Sequence, residues 1–215
     1  MGNDKKERKL TDKEAKRLER FEAISASLTD QGYVRKDLII SILKANVVGP
    51  LLTLPFMAAL VIVFFVIHGK APVNSLLDGN GWGLILAGLS CIPLAVVHEC
   101  IHGLSWSISA KNHLKDIEFG FIASNLTPYC YCASPLSKGM YLFGSMMPMT
   151  VLGIILGIVG IIIASPEVMI AALIQCLGGS GDILISAMLL KYRTKGKTIV
   201  LMDHPTECGL VVFES

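Results

Sequence analysis

Residues 82–110 read WGLILAGLSCIPLAVVHECIHGLSWSISA, 29 residues with one charged side chain, Glu99. A helix of about 20 apolar residues crosses a hydrocarbon core of roughly 30 Å, so this run is long enough to span a bilayer. Backbone groups in lipid must be paired within their own segment, which makes such a run helical. Three further runs share its character: 45–67 and 140–164 carry no charge, and 168–190 carries only Asp182. The sequence therefore predicts an all-α integral membrane protein with four transmembrane helices, at 45–67, 82–110, 140–164 and 168–190. Pro50 and Pro55 predict kinks in the first helix and Pro148 in the third.

Composition agrees. The chain of 215 residues is 53% hydrophobic and 17% charged, where a soluble domain carries about 25% charge. This balance excludes a disordered chain, a disulfide-stapled mini-protein and a basic nucleic-acid-binding domain. With the N-terminus inside, 18 of the 19 Lys and Arg residues fall on the cytoplasmic side. The positive-inside rule thus predicts a multi-pass cell-membrane protein with both termini cytoplasmic. It divides into a charged segment 1–44, a four-helix domain 45–190 and a tail 191–215.

The cytoplasmic parts have some order of their own. Thr11 to Leu28 has helical character, with Leu18, Phe21, Ile24 and Leu28 near one face. It reads as a solvated or interfacial helix, or as a partner-binding one. The loop 111–138 contains two weakly alternating stretches, Ile117 to Ala123 and Pro128 to Ala133, with a turn at Asn125 to Pro128. This predicts a small β-hairpin at or dipping into the cytoplasmic face. The tail predicts a second hairpin, Thr198 to Met202 and Gly209 to Phe213. Six cysteines lie in spans or in segments placed inside, where thiols stay reduced. Cys130 and Cys132 form C-x-C with no second pair to answer it, so packing is their expected role.

The second helix carries His98-Glu99-Cys100-Ile101-His102, an H-E-x-x-H pattern. Positions i and i+4 share a helix face, so both imidazoles can reach one ion. Glu99 stands beside the first ligand, where it can hold and deprotonate a water. Zinc suits such a set, with an open position for that water. A charge inside lipid costs roughly 2.5 kcal/mol or more, so Glu99 marks a functional or paired site. The bland alternative is a protonated Glu99 with histidines that only bond neighbouring helices.

A third ligand is needed, and Asp182 is the other charge inside a span. It lies 9 residues before Lys191, as His102 lies 9 before Lys111. At 1.5 Å per residue both sit about 14 Å from their helix ends, in one slab of the cytoplasmic half. The glycines at 178, 179 and 181 let helices pack closely or the backbone loosen there. The alternative is a packing face on which Asp182 pairs with a histidine without metal. His68, His113 and His204 lie outside the slab or at its edge and read as loop histidines.

These features resemble the site-2-protease class of intramembrane zinc proteases. They are more similar still to a bacterial multi-pass zincin peptidase family. The resemblance rests on the H-E-x-x-H helix, on Tyr131-Cys132-Ala133-Ser134-Pro135-Leu136, on Gly181-Asp182 and on the tail from Asp203 to Phe213, over roughly residues 85–213. It implies that His98, His102 and Asp182 hold one zinc ion per chain and that Glu99 is the catalytic base. The chain departs from the site-2 pattern in lacking an Asn-Pro-Asp-Gly or Leu-Asp-Gly sequence; Ile183 follows Asp182. The expected function is hydrolysis of peptide bonds in membrane-protein or peptide substrates near the cytoplasmic face. The alternative is a non-catalytic metal-binding or protease-like membrane scaffold. Asn125 is a candidate oxyanion or substrate contact, or simply a turn residue.

Overall fold

The computed structural model describes residues 10–79, 81–122, 127–194 and 196–215. The helices are α1 (Asp12–Asp30), α2 (Ile42–His68), α3 (Ala71–Asp78), α4 (Trp82–Ser107), α5 (Lys138–Pro148), α6 (Leu156–Ile162), α7 (Pro166–Gly178) and α8 (Ser180–Lys191). The strands are β1 (Val34–Ile39), β2 (Ile117–Ile122), β3 (Thr127–Cys132), β4 (Leu136–Ser137), β5 (Ile199–Asp203) and β6 (Gly209–Glu214). The architecture is mostly helical, but two small sheets correct the all-α expectation.

Three helices are long and apolar enough to cross a membrane: Leu43–His68, Trp82–Ser107 and Lys138–Ile162. Apolar side chains such as Leu51, Ile62, Val66, Ile92 and Val96 point outward along α2 and α4, which suits an apolar surrounding better than water. The third of these helices contains Pro148, and a seven-residue π-helical segment, Met149–Ile155, follows it directly. Pro148 has no N–H to donate, so the regular ladder is interrupted there. The expected fourth helix is instead two, α7 and α8, bent by 49° at Gly179. Together the pair is long and apolar enough for one broken span or a re-entrant loop. Gly49 of α2 packs directly on this break: a Cβ there would lie 2.8 Å from the Ser180 carbonyl oxygen.

A four-stranded antiparallel sheet of order β1-β6-β5-β4 stands at the end of the helices to which both chain ends return. The predicted tail hairpin is its centre. Strand β1, in the segment read only as charged, pairs along its full length with β6, from Val34 opposite Glu214 to Ile39 opposite Gly209. Arg35, Lys36 and Asp37 hide this strand from a hydrophobic pattern, and they are tolerated because β1 is an edge. Leu201, Leu210 and Val212 of the sheet share a core with Trp106, Tyr141 and Leu189 of the long helices. Sheet and helices are therefore one packed body.

Helix α1 is capped by Thr11, whose hydroxyl and backbone exchange hydrogen bonds with Glu14. It is not a free interfacial helix. Phe21 is fully buried against Met202, Val211 and Phe213, with Ile24 and Leu28 beside it. Its other contacts are polar. Arg17 donates to Glu118 at 2.5 Å and to the Tyr129 hydroxyl at 2.6 Å, over the Tyr129 and Tyr131 rings. Arg20 pairs with Asp116, which also accepts from Ser134 and Asn112. Burial acts to raise the Asp116 carboxyl, but these hydrogen bonds outweigh it and hold it below the usual carboxylate range.

The β2–β3 hairpin has two unlike faces. Ile117 and Phe119 lie against Gly103 of α4, where a Cβ would strike them. Glu118 and Tyr131, paired across the strands, face α1 instead. The hairpin is thus sandwiched between an apolar helix and a charged one. Replacing Phe21 by Ala is expected to weaken docking of α1 by about 3–5 kcal/mol, the usual cost of emptying a buried phenylalanine site. Hydrogen exchange over residues 12–30 then accelerates while that of α4 is unchanged.

Candidate metal centre

His98 and His102 project from one face of α4, with ring centroids 4.9 Å apart. Both are buried. Asp182 comes from α8, where its Oδ2 lies 3.2 Å from His98 Nε2 and 3.4 Å from His102 Nε2. The three ligand atoms all lie within 4.8 Å of one another. Donors about 2.0–2.1 Å from a tetrahedral zinc are separated by about 3.3 Å. The two nitrogen–oxygen separations match that edge length, so the residues fit a zinc ion with three protein ligands and one open position. The same contacts also make a His–Asp pair, so geometry alone leaves both sequence readings standing.

The break at Gly179 brings the carboxylate here. It starts α8 at Ser180 and puts Asp182 in its first turn, where unpaired N–H groups and the helix dipole favour negative charge. Gly179 also gives the imidazole room, since a Cβ there would lie 3.2 Å from His98 Cε1. The glycines read as loosening the backbone do so at the residue where the ligand must turn inward.

His102 is fixed from behind. Its Nδ1 lies 2.9 Å from the Gly144 carbonyl oxygen. A carbonyl only accepts, so Nδ1 carries a proton and Nε2 is the ring atom that faces Asp182. That carbonyl is available because its ordinary helical donor would be the N–H of residue 148, a proline. Trp106, one turn further along α4, stacks on the His102 ring at 4.9 Å and 14°. Gly144 makes room for this stack, because a Cβ there would collide with the indole. The indole Nε1 donates to the Tyr141 carbonyl at 3.2 Å. The kink at Pro148 was legible in the sequence, but its histidine partner 46 residues away was not.

Glu99 is half-buried and lines the same cavity as the three ligands. Its carboxylate accepts from the Cys130 backbone N–H. Two residues on, the Cys132 N–H donates to Asp203 Oδ2 at 2.9 Å, and Tyr141 donates to Asp203 Oδ1 at 2.6 Å. The outward amides of β3 are therefore turned toward the cavity, and two carboxylates occupy them. Burial pushes the Cys132 thiol up to about 12 and the Cys130 thiol higher, which keeps both protonated, as packing residues would be. The cavity measures about 470 Å³ and reaches from Asp182 and Glu99 to Arg17 of α1 and to the 204–209 turn.

Of the expected site residues, His98, His102 and Asp182 converge and Glu99 stands beside them. Asn125 lies outside the described residues. Arg17, Tyr141, Gly144 and Asp203 were missed. A proline four residues after a glycine is the one local clue to any of them. Pro148→Ala restores a competing donor to the Gly144 carbonyl. Zinc affinity, measured by chelator competition, is expected to fall about 10–100-fold, the range for lost partners of metal-bound histidines.

Residues 91–196 match the family described as "Putative zincin peptidase". No curated protein and no solved structure matches the chain. The matched stretch runs from the middle of α4 past the end of α8 and so contains all three candidate ligands and Glu99. Over residues 91–196, just under half of its length, the chain is similar to that zincin peptidase family.

Proposed function

We propose that this protein is an intramembrane zinc metallopeptidase, similar to site-2 proteases, that cuts membrane-protein or peptide substrates near the cytoplasmic face. The observation that carries this reading is one constellation on apolar helices. Three zinc-competent ligand atoms and a further carboxylate, Glu99, share a cavity at the end of the helices nearer both termini. The excess of Lys and Arg in the tails supports placing that end in the cytoplasm of a multi-pass cell-membrane protein.

Zinc held by His98, His102 and Asp182 supplies a Lewis acid for the scissile carbonyl and brings the pKa of a water toward neutrality. Glu99 takes a proton from the attacking water as its oxygen bonds to the carbonyl carbon. It then delivers that proton to the amide nitrogen as the C–N bond breaks. The Cys130 N–H holds the carboxylate in place before a substrate arrives. His102 keeps one orientation throughout because Gly144 and Trp106 hold its ring. Water enters through the cavity beneath α1 and the 204–209 turn.

A helical substrate has to unwind before its backbone is open to attack. Strand β3 is paired only with β2, so its other edge can hold an extended segment by strand addition. The amides of Cys130 and Cys132 are the donors such a segment would take over from Glu99 and Asp203.

Glu99→Gln is expected to keep about one zinc per chain and to lose all peptidase activity, since Glu99 is not a ligand. Asp182→Ala loses the zinc as well. Metal analysis of purified protein and a comparison of membrane proteomes with and without Glu99→Gln check both. A wild type that binds no zinc when metal is supplied overturns the peptidase reading. Zinc binding with identical proteomes favours a metal-binding scaffold.

A further inference from the structure

A second groove, of about 360 Å³, lies between α1 and the start of β2. Five cations line it: Lys13, Lys16, Arg17, Arg20 and Lys115. Two are already compensated, Arg17 by Glu118 and Arg20 by Asp116. The side chains of Lys13, Lys16 and Lys115 make no ion pair or hydrogen bond among the described residues. Lys13 and Lys16 are three apart on α1 and so share a face. Three exposed ammonium groups without a protein partner therefore border one concavity and give it an excess of positive charge.

Its position identifies the anion. Lys115 belongs to the short 3-10 turn His113–Asp116, which follows the end of α4. Large apolar side chains of the flanking segments, on either side of this turn, are exposed: Ile108 64%, Leu114 56%, Phe119 48% and Phe121 57%. Apolar side chains turned outward next to lysines mark the level where hydrocarbon meets headgroups. Resting on the membrane reading above, we propose that this groove binds the phosphate-bearing headgroup of an anionic phospholipid in the leaflet on the side of both termini. Anionic lipids are concentrated in the cytoplasmic leaflet, and clustered basic residues beside a span attract them. The bound headgroup neutralises one side of α1, whose Arg17 reaches the catalytic cavity on the other.

The test uses full-length protein reconstituted in bilayers containing equal phosphatidylglycerol and phosphatidylcholine, with retained lipids counted by native mass spectrometry. Wild type is expected to retain phosphatidylglycerol about 10-fold over phosphatidylcholine. The variant Lys13→Gln/Lys16→Gln/Lys115→Gln is expected to fall within about twofold of no preference. A control with equal charge loss, Lys44→Gln/Lys191→Gln/Arg193→Gln, keeps the preference, and unchanged zinc content in both variants shows that the fold is intact. No preference in wild type, or equal loss in the control, overturns the proposal. Displacement by inorganic phosphate beyond that by chloride at the same ionic strength assigns a soluble anion and also overturns it. Failure of wild type to enter any bilayer overturns the membrane reading instead, which separates the two outcomes.

Discussion

A carboxylate among apolar helices is tolerated only where something answers its charge, and at Asp182 the answer is two imidazoles and a helix N-terminus. The rest of the architecture follows from keeping that meeting in register. Helix α8 has to begin at residue 180, so the helix pair α7–α8 breaks at Gly179. Helix α2 has to come close enough to hold the broken end, so Gly49 lies against the Ser180 carbonyl. The imidazole of His102 has to present Nε2, so a carbonyl must be free to take Nδ1, and Pro148 frees it. The break at Gly179 and the freed Gly144 carbonyl thus both meet the same three side chains.

What was legible in the sequence divides by range. The long apolar helices were legible because every residue of such a run shares one composition, and the ends observed for α2 and α4 lie within a few residues of those expected. The histidine pair was legible because four residues on a helix fix its geometry locally. Both hairpins were legible because their alternation is local too. Strand β1 was not, since its edge position permits charged residues and its partner β6 lies about 175 residues away. The docking of α1 was half legible: its apolar face was evident, but the surface receiving Phe21 is built from the far end of the chain.

The candidate site divides in the same way. The three side chains that converge, His98, His102 and Asp182, and the carboxylate beside them could be picked out from spacing. The groups that orient them could not, because their contacts are long-range and several are backbone atoms. Gly144 acts through its carbonyl, and Cys130 through its amide. No residue type announces such a role.

These long-range contacts also tie the cover of the cavity to its floor. Arg17 of α1 is held by Glu118 and by the tyrosines of β3, and β3 in turn donates an amide to Glu99. The neighbouring amide of β3 meets Asp203 of the sheet against which Phe21 docks. Helix α1 therefore cannot lift from the sheet without disturbing the edge that steadies Glu99. A polypeptide reaching that edge must displace Asp203 and Glu99 from its amides and so loosens the same connections from the other side. Access to the cavity and the geometry of the carboxylate are two readings of one set of hydrogen bonds. The chain's N-terminal helix, remote in sequence from every candidate ligand, belongs to the site through them.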